Sequence, residues 1–166
     1  MEKVLEVKPT KILDLGVGFG KWGSLVREYT DIWGWRFYRN EWIVRIDGIE
    51  VHEKYRCPNW ENYTQVYIGE IQEVLQTLAK YDLIIMLEVL EHIEKAEALY
   101  VLEGIFERCN KAIISFTNTH QGDVRDNPYE DHVSQLNLGE FDQYGKVQVL
   151  HQDSDGAVLY IEKHSC

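Results

Sequence analysis

Ile12-Leu13-Asp14-Leu15-Gly16-Val17-Gly18-Phe19-Gly20-Lys21-Trp22-Gly23 is the stretch on which the reading of this 166-residue chain turns. A short apolar run, an acid and three alternate glycines precede a helical period in which Trp22, Leu25, Val26 and Tyr29 fall at i, i+3, i+4 and i+7. This order predicts a strand over Lys11 to Leu15, a tight turn, and a helix beginning near Gly20. Glycine lets a ligand approach bare backbone, and a helix start offers unpaired N–H groups and about half a positive charge. A ligand with an anionic or carboxylate group is implied. Gly18 to Gly23 also spells G-x-G-x-x-G, the dinucleotide fingerprint, but that fingerprint follows an apolar strand end. Here Asp14 comes first; its charge would repel a pyrophosphate and suit an ammonium or sulfonium group. The plain alternative is a glycine-rich turn that binds nothing.

Outward from this segment, apolar runs alternate with helical periods, as when parallel strands are joined by crossover helices. Ile43 to Val51 reads as a second strand and Gln65 to Ile68 as a third, followed by Ile71, Val74, Leu75, Leu78 and Ala79 at helical spacing. Tyr81 to Leu87, apolar apart from Asp82, suits a strand buried on both faces. A helix over Ala96 to Cys109 and a fifth strand over Ala112 to Phe116 come next. Lys146 to Leu150 and Ala157 to Ile161 then flank the turn-rich Gln152-Asp153-Ser154-Asp155-Gly156, which predicts an antiparallel hairpin. The class is α/β. Two segments break the alternation: Asp31 to Arg45, with three Trp, one Phe, one Tyr and three Arg, and the long polar stretch Asn118 to Gln135. Long loops in compact domains are usually functional or disordered, and aromatic density argues against disorder for the first.

Seventeen Lys and Arg against 28 Asp and Glu leave a formal charge of -11, which makes broad nucleic-acid or anionic-lipid binding an unfavourable reading. The longest wholly apolar run, Leu83 to Leu87, is far short of a membrane span, and Met1-Glu2-Lys3 does not begin a signal peptide; a cytoplasmic protein is expected. Length predicts one domain over residues 1–166. Cys57, Cys109 and Cys166 form no C-x-x-C pair and read as buried or incidental thiols.

Asp14-Leu15-Gly16-Val17-Gly18-Phe19-Gly20 resembles the D/E-x-G-x-G-x-G motif of class I S-adenosylmethionine-dependent methyltransferases. Three further segments match that family in order. Ile49-Glu50-Val51 is similar to the strand end whose acid takes the cofactor ribose hydroxyls. Gly69-Glu70-Ile71 is similar to the acid-containing turn against the adenine, although Asp is commoner there. Leu87-Glu88-Val89-Leu90-Glu91-His92 resembles the E-V-L-E-H segment of the ubiquinone-type and related small-molecule members. The resemblance covers nearly the whole chain, including small bacterial methyltransferases. It implies a doubly wound, mostly parallel seven-stranded sheet of order 3-2-1-4-5-7-6 with an antiparallel C-terminal hairpin. It also implies S-adenosylmethionine as cofactor, held by Asp14, Gly16, Val17, Gly18, Gly20, Trp22, Glu50, Val51, Gly69, Glu70, Ile71, Leu87 and Glu88. The chain departs from the family in the longer gap between Gly20 and Glu50, in a shortened N-terminal helix over Met1 to Lys8, and in lacking N-P-P-[YF] after the fourth strand.

Methyl transfer from a sulfonium already has a good leaving group, so the protein chiefly aligns acceptor, methyl and sulfur. A hydroxyl acceptor adds the need for a base, and His92 is the candidate, with Glu91 and His132 beside it in the expected catalytic set. His92 could instead orient its loop, and Glu91 could be a helix-start acid. A sharper alternative uses Glu88, Glu91, His92 and His132 as ligands of a divalent metal. That segment resembles the metal tetrad of the small-RNA 2′-O-methyltransferases. The insert Asp31 to Arg45 and the loop Asn118 to Gln135 are expected to overhang the cofactor. Trp33, Trp35 and Trp42 would then stack on an acceptor and Arg36, Arg39 or Arg45 meet its anionic group, unless the aromatics simply pack. His120, Tyr129 and Asp131 on the second loop are further acceptor candidates. The expectation is thus a metal-independent methyltransferase acting on a small molecule or glycan, most simply at a hydroxyl. A non-catalytic cofactor-binding subunit, a metal-dependent 2′-O-methyltransferase and a nicotinamide dehydrogenase are the alternatives.

Overall fold

The structure is a computed structural model that describes residues 1–120 and 127–164. Its centre is a seven-stranded sheet of order β3-β2-β1-β4-β5-β7-β6, the order expected. The strands are β1 (Lys11–Leu15), β2 (Arg45–Glu50), β3 (Gln65–Ile68), β4 (Leu83–Met86), β5 (Lys111–Thr117), β6 (Gly145–Gln152) and β7 (Gly156–Lys163). The first five run parallel; β7 pairs antiparallel with both β5 and β6, and β6 carries an irregularity between Val149 and His151.

Helices α1 (Glu2–Val7), α2 (Lys21–Thr30), α3 (Ile71–Thr77) and α4 (Lys95–Arg108) form two layers over the sheet. Side chains alternate along a strand, so β1 divides its residues between the layers. Leu13 and Leu15 pack with Leu75, Leu102 and Ile105 of α3 and α4, while Ile12 packs with Val4 and Val26 of α1 and α2. All four residues of β4 are buried, because both faces of that strand are covered.

Three expectations change. The second strand starts at Arg45 rather than Ile43, whose side chain is 66% exposed and whose N–H is donated to Asp31 Oδ1. The inward face of α2 is Gly23, Val26 and Arg27, not the stripe through Trp22, Leu25 and Tyr29. Last, the insert Asp31 to Arg45 does not overhang the C-terminal ends of the strands. It joins the end of α2 to the start of β2, where Arg45 donates its N–H to the Thr10 carbonyl just before β1. A segment entering a parallel strand lies at that strand's N-terminal end, opposite the ligand crevice of an open α/β sheet.

Cys57 and Cys109 are free thiols, half-buried and buried; Cys166 and the 121–126 portion of the second loop lie outside the described residues. Among the described residues, no helix is long and apolar enough to cross a membrane.

Candidate functional site

Gly16, Gly18 and Gly20 all hold positive φ (81°, 51° and 78°), which explains glycine at each alternate position of the β1–α2 turn. A side chain at Gly16 would strike Val89, and one at Gly20 would meet Asn59, but the space beside Gly18 is open. Bare backbone at Gly18 is therefore accessible from the crevice.

The connection between β2 and β3 clamps this turn from outside. Asn59 Nδ2 and Cys57 Sγ donate to the Phe19 carbonyl, and Trp60 Nε1 donates to the Gly18 carbonyl at 2.8 Å. Tyr63 Oη accepts the Gly23 N–H at 2.9 Å and donates to Asp14 Oδ2 at 2.5 Å. The first three contacts satisfy carbonyls of the turn, and Tyr63 satisfies an N–H at the helix start that has no helix partner.

A cleft of about 510 Å³ opens over the C-terminal ends of the strands. Gly16, Gly18, Glu50, Val51, Glu70, Ile71, Glu88 and His92 line it, all expected site residues. Asp14, Val17, Gly20, Trp22, Gly69, Leu87, Glu91 and His132 are not among its lining. The reasons are local. Alternation along β1 turns Asp14 to the α2 layer and Tyr63; Val17 is buried over Gly48; Gly20 caps α2; and Leu87 is in the core. Trp22 is half-buried on α2 with Lys21 over its ring, and Gly69 bends the chain beside Val74 at φ 151°.

Glu50, only 5% exposed, receives the Gly18 N–H on Oε2 (2.7 Å) and the His52 N–H on Oε1 (2.8 Å). Each carboxylate oxygen has two lone-pair sites, so each retains an acceptor position. Burial, with Glu73 and Glu97 nearby, raises the pKa of Glu70.

At the end of β4, Glu88 holds φ 57°, a conformation that costs a non-glycine residue of order 1 kcal/mol and needs support. Ser115 supplies it: its Oγ accepts the Glu88 N–H at 2.8 Å and donates to Glu88 Oε1 at 2.7 Å. The signal in the sequence was a hydroxyl inside the apolar run Ala112 to Phe116. Tyr55 also lines the cleft unannounced; it donates to Glu130 and accepts from Asn127 Nδ2 at 2.6 Å. Burial first, and then Glu130, push its hydroxyl up to about 12.

Behind the lining, Glu91 is 1% exposed with Oε2 unpartnered. Burial, with a smaller contribution from Glu88, lifts its carboxyl to about 7. The rings of His92 and His132 meet edge to face at 4.8 Å. Nδ1 of His92 lies 3.3 Å from the Asp131 carbonyl and that of His132 lies 2.7 Å from the Thr119 carbonyl. A carbonyl only accepts, so each Nδ1 carries a proton and each Nε2 is turned away from that bond. Burial foremost, and His132 next, depress the pKa of His92, which keeps it neutral at pH 7. One donor atom from each of Glu91, His92 and His132 falls within 4.8 Å of the others; Glu88, tied to Ser115, is outside that group.

No protein-family model matches the chain, and no curated protein matches it in sequence. Among solved structures, it is similar to the N-terminal domain of EvdMO1 crystallised in the presence of SAH and D-fucose, at 15% identity and a TM-score of 0.68 over 98% of this chain and 81% of that one. It is also similar to the methyltransferase domain of bacterial CtHen1-C, at 18% identity and a TM-score of 0.65 over 99% and 94% of the two chains. The magnesium protoporphyrin IX methyltransferase ChlM from Synechocystis PCC 6803, with bound SAM, matches at 14% identity and a TM-score of 0.63 over 92% and 69%. The likeness is one of architecture: this chain has the Rossmann-like α/β fold of those methyltransferases.

Proposed function

We propose that the chain binds S-adenosylmethionine in the cleft and methylates a small-molecule or sugar-type acceptor at a hydroxyl. The observation that carries this reading is Glu50, a buried carboxylate at the end of β2 held by two backbone N–H groups and keeping acceptor positions toward the cleft. Two vicinal hydroxyls of a ribose fit such a carboxylate. The cleft volume, about 510 Å³, is in the usual range for ligand sites of roughly 300–1,000 Å³. The open space beside Gly18 leaves room for the rest of the ligand. SAH and SAM in structures of the same fold, and D-fucose with one of them, favour the same reading.

When bound, the cofactor supplies a methyl group on a positively charged sulfur. Residues of this chain hold and deprotonate. Glu50 takes ribose hydroxyls, Glu70 faces the base, and Gly16 and Gly18 let the ligand lie on backbone. His92, neutral and with Nε2 unprotonated, takes the acceptor proton. Isothermal calorimetry with S-adenosylhomocysteine tests the proposal: binding is expected, weakened at least tenfold by Glu50→Ala. Absence of binding by the intact chain overturns it.

The buried, unpartnered Glu91 Oε2 favours a second reading, in which a divalent cation sits among Glu91, His92 and His132. Histidines whose Nδ1–H is fixed by a carbonyl are preset as Nε2 ligands, and the unpaired carboxylate oxygen completes an O/N donor set. Such an ion would neutralise the Glu91 charge and polarise an acceptor hydroxyl. Manganese titration of the apo chain separates the readings: binding lost in His132→Ala supports the cation, and no binding leaves His92 as base alone.

A further inference from the structure

The insert carries a cluster of exposed apolar side chains at the end of the sheet opposite the cleft. Trp33 is 66% exposed, Trp35 81%, Phe37 53%, Tyr38 71% and Ile43 66%. Trp35 meets Phe37 within the insert at 5.8 Å, and Trp33 meets Tyr29 of α2 at 4.7 Å. Aromatic side chains present about 150–250 Å² each, so this group exposes roughly 600–700 Å² of mostly apolar surface. That total is close to the roughly 800 Å² per partner of a standard interface.

The patch is held rigid. Buried Asp31 takes Arg27 on Oδ2, and takes Arg36 Nε (2.7 Å) and the Ile43 N–H (3.0 Å) on Oδ1, which joins both ends of the insert to α2. Trp35 holds φ 63°, a left-handed conformation unfavourable for a bulky residue, where it ends the 32–34 turn with its N–H on the Ile32 carbonyl; its indole is exposed. Preorganisation of this kind lowers the entropic cost of association.

Charge indicates which partner. Residues 31–45 sum to +1, whereas the remainder of the chain sums to -12. Two copies repel one another over most of their surface, but not here. Arg39 beside Glu61 gives the rim charges of both signs, which a two-fold arrangement sets opposite each other. We infer that this face joins two copies of the chain, patch to patch, with the two clefts directed away from the contact.

Sedimentation velocity of the full chain at about 100 µM, above the micromolar end of affinities for interfaces of this area, is the test. Wild type is expected at twice the 19.5 kDa chain mass. Trp35→Asn and Tyr38→Ser should sediment at one chain mass. Asn accepts left-handed φ better than Trp, so the first variant should fold at least as well, as circular dichroism would verify. Tyr100→Ser, which removes an exposed ring on α4, should leave the dimer intact. A monomeric wild type, a dimer that survives both insert variants, or one lost equally in Tyr100→Ser overturns the inference.

Discussion

Asp14 illustrates how a residue legible as important can have a tertiary partner that the sequence does not show. The glycine pattern marked it as a ligand contact, but alternation along β1 sends Leu13 and Leu15 to one layer and so commits Asp14 to the other, under Tyr63. Its carboxyl is 2% exposed with Oδ1 unpartnered, and its pKa rises to about 7, mainly through burial; the Tyr63 hydrogen bond opposes the rise and Glu50 adds to it. A carboxyl raised in the folded state above its unfolded value near 3.8 contributes stability that is complete below pH 3.8 and is lost as pH climbs through about 7. Asp14→Asn removes that slope. Between pH 5 and 7, urea unfolding of wild type should lose about 2–3 kcal/mol relative to the variant, at roughly 1.4 kcal/mol per pH unit. Parallel pH profiles for the two proteins would show that Asp14 is ionised throughout.

At the level of elements, periodicity located the seven strands and the helices α2, α3 and α4 to within a few residues, and the turn before β7 announced the hairpin. Tertiary partners were invisible. Arg27 lies on the buried face of α2 because Asp31 and the carbonyls of Val44 and Asn62 receive its guanidinium, a set no helical period contains. The placement of the insert was recoverable in principle, since a segment between a helix and the next parallel strand must lie below the sheet; aromatic content drew attention to the cleft instead. Gly23 shows the same conflict between local and tertiary preference. In an exposed helix Gly→Ala gains about 1 kcal/mol. Here an added Cβ falls 2.1 Å from Tyr63 Cζ and 2.5 Å from its hydroxyl, the group that also secures Asp14. Overlap outweighs propensity, so Gly23→Ala should destabilise the protein by about 1–3 kcal/mol, the range for overpacked cores. Thermal unfolding would read this as a lower Tm; a higher one would show that Tyr63 yields freely.

For the molecule as a whole, the sign of its charge extends into the cleft. Glu50, Glu70, Glu88, Glu94, Glu97 and Glu130 line it, and no Lys or Arg does among the described residues. Such a site favours a cationic ligand over an anionic one, since several like charges in a low-dielectric crevice reinforce one another. S-adenosylmethionine carries the sulfonium charge that S-adenosylhomocysteine lacks, so the two ligands separate shape from charge. Both should stabilise the fold by mass action, by about 2.7 kcal/mol at one hundred times the dissociation constant. For a chain of this size that corresponds to a rise in Tm of about 5–10 °C. NAD, whose pyrophosphate meets those carboxylates, should give no shift. Raising salt from about 0.05 to 0.5 M shortens the screening length from roughly 14 to 4 Å. The affinity for S-adenosylmethionine should therefore fall toward that for S-adenosylhomocysteine, whose own affinity changes little. Calorimetric titrations of both ligands along that salt series would measure the convergence. Parallel curves would mean that the sulfonium does not sense the lining carboxylates, and would place the charge preference elsewhere in the ligand.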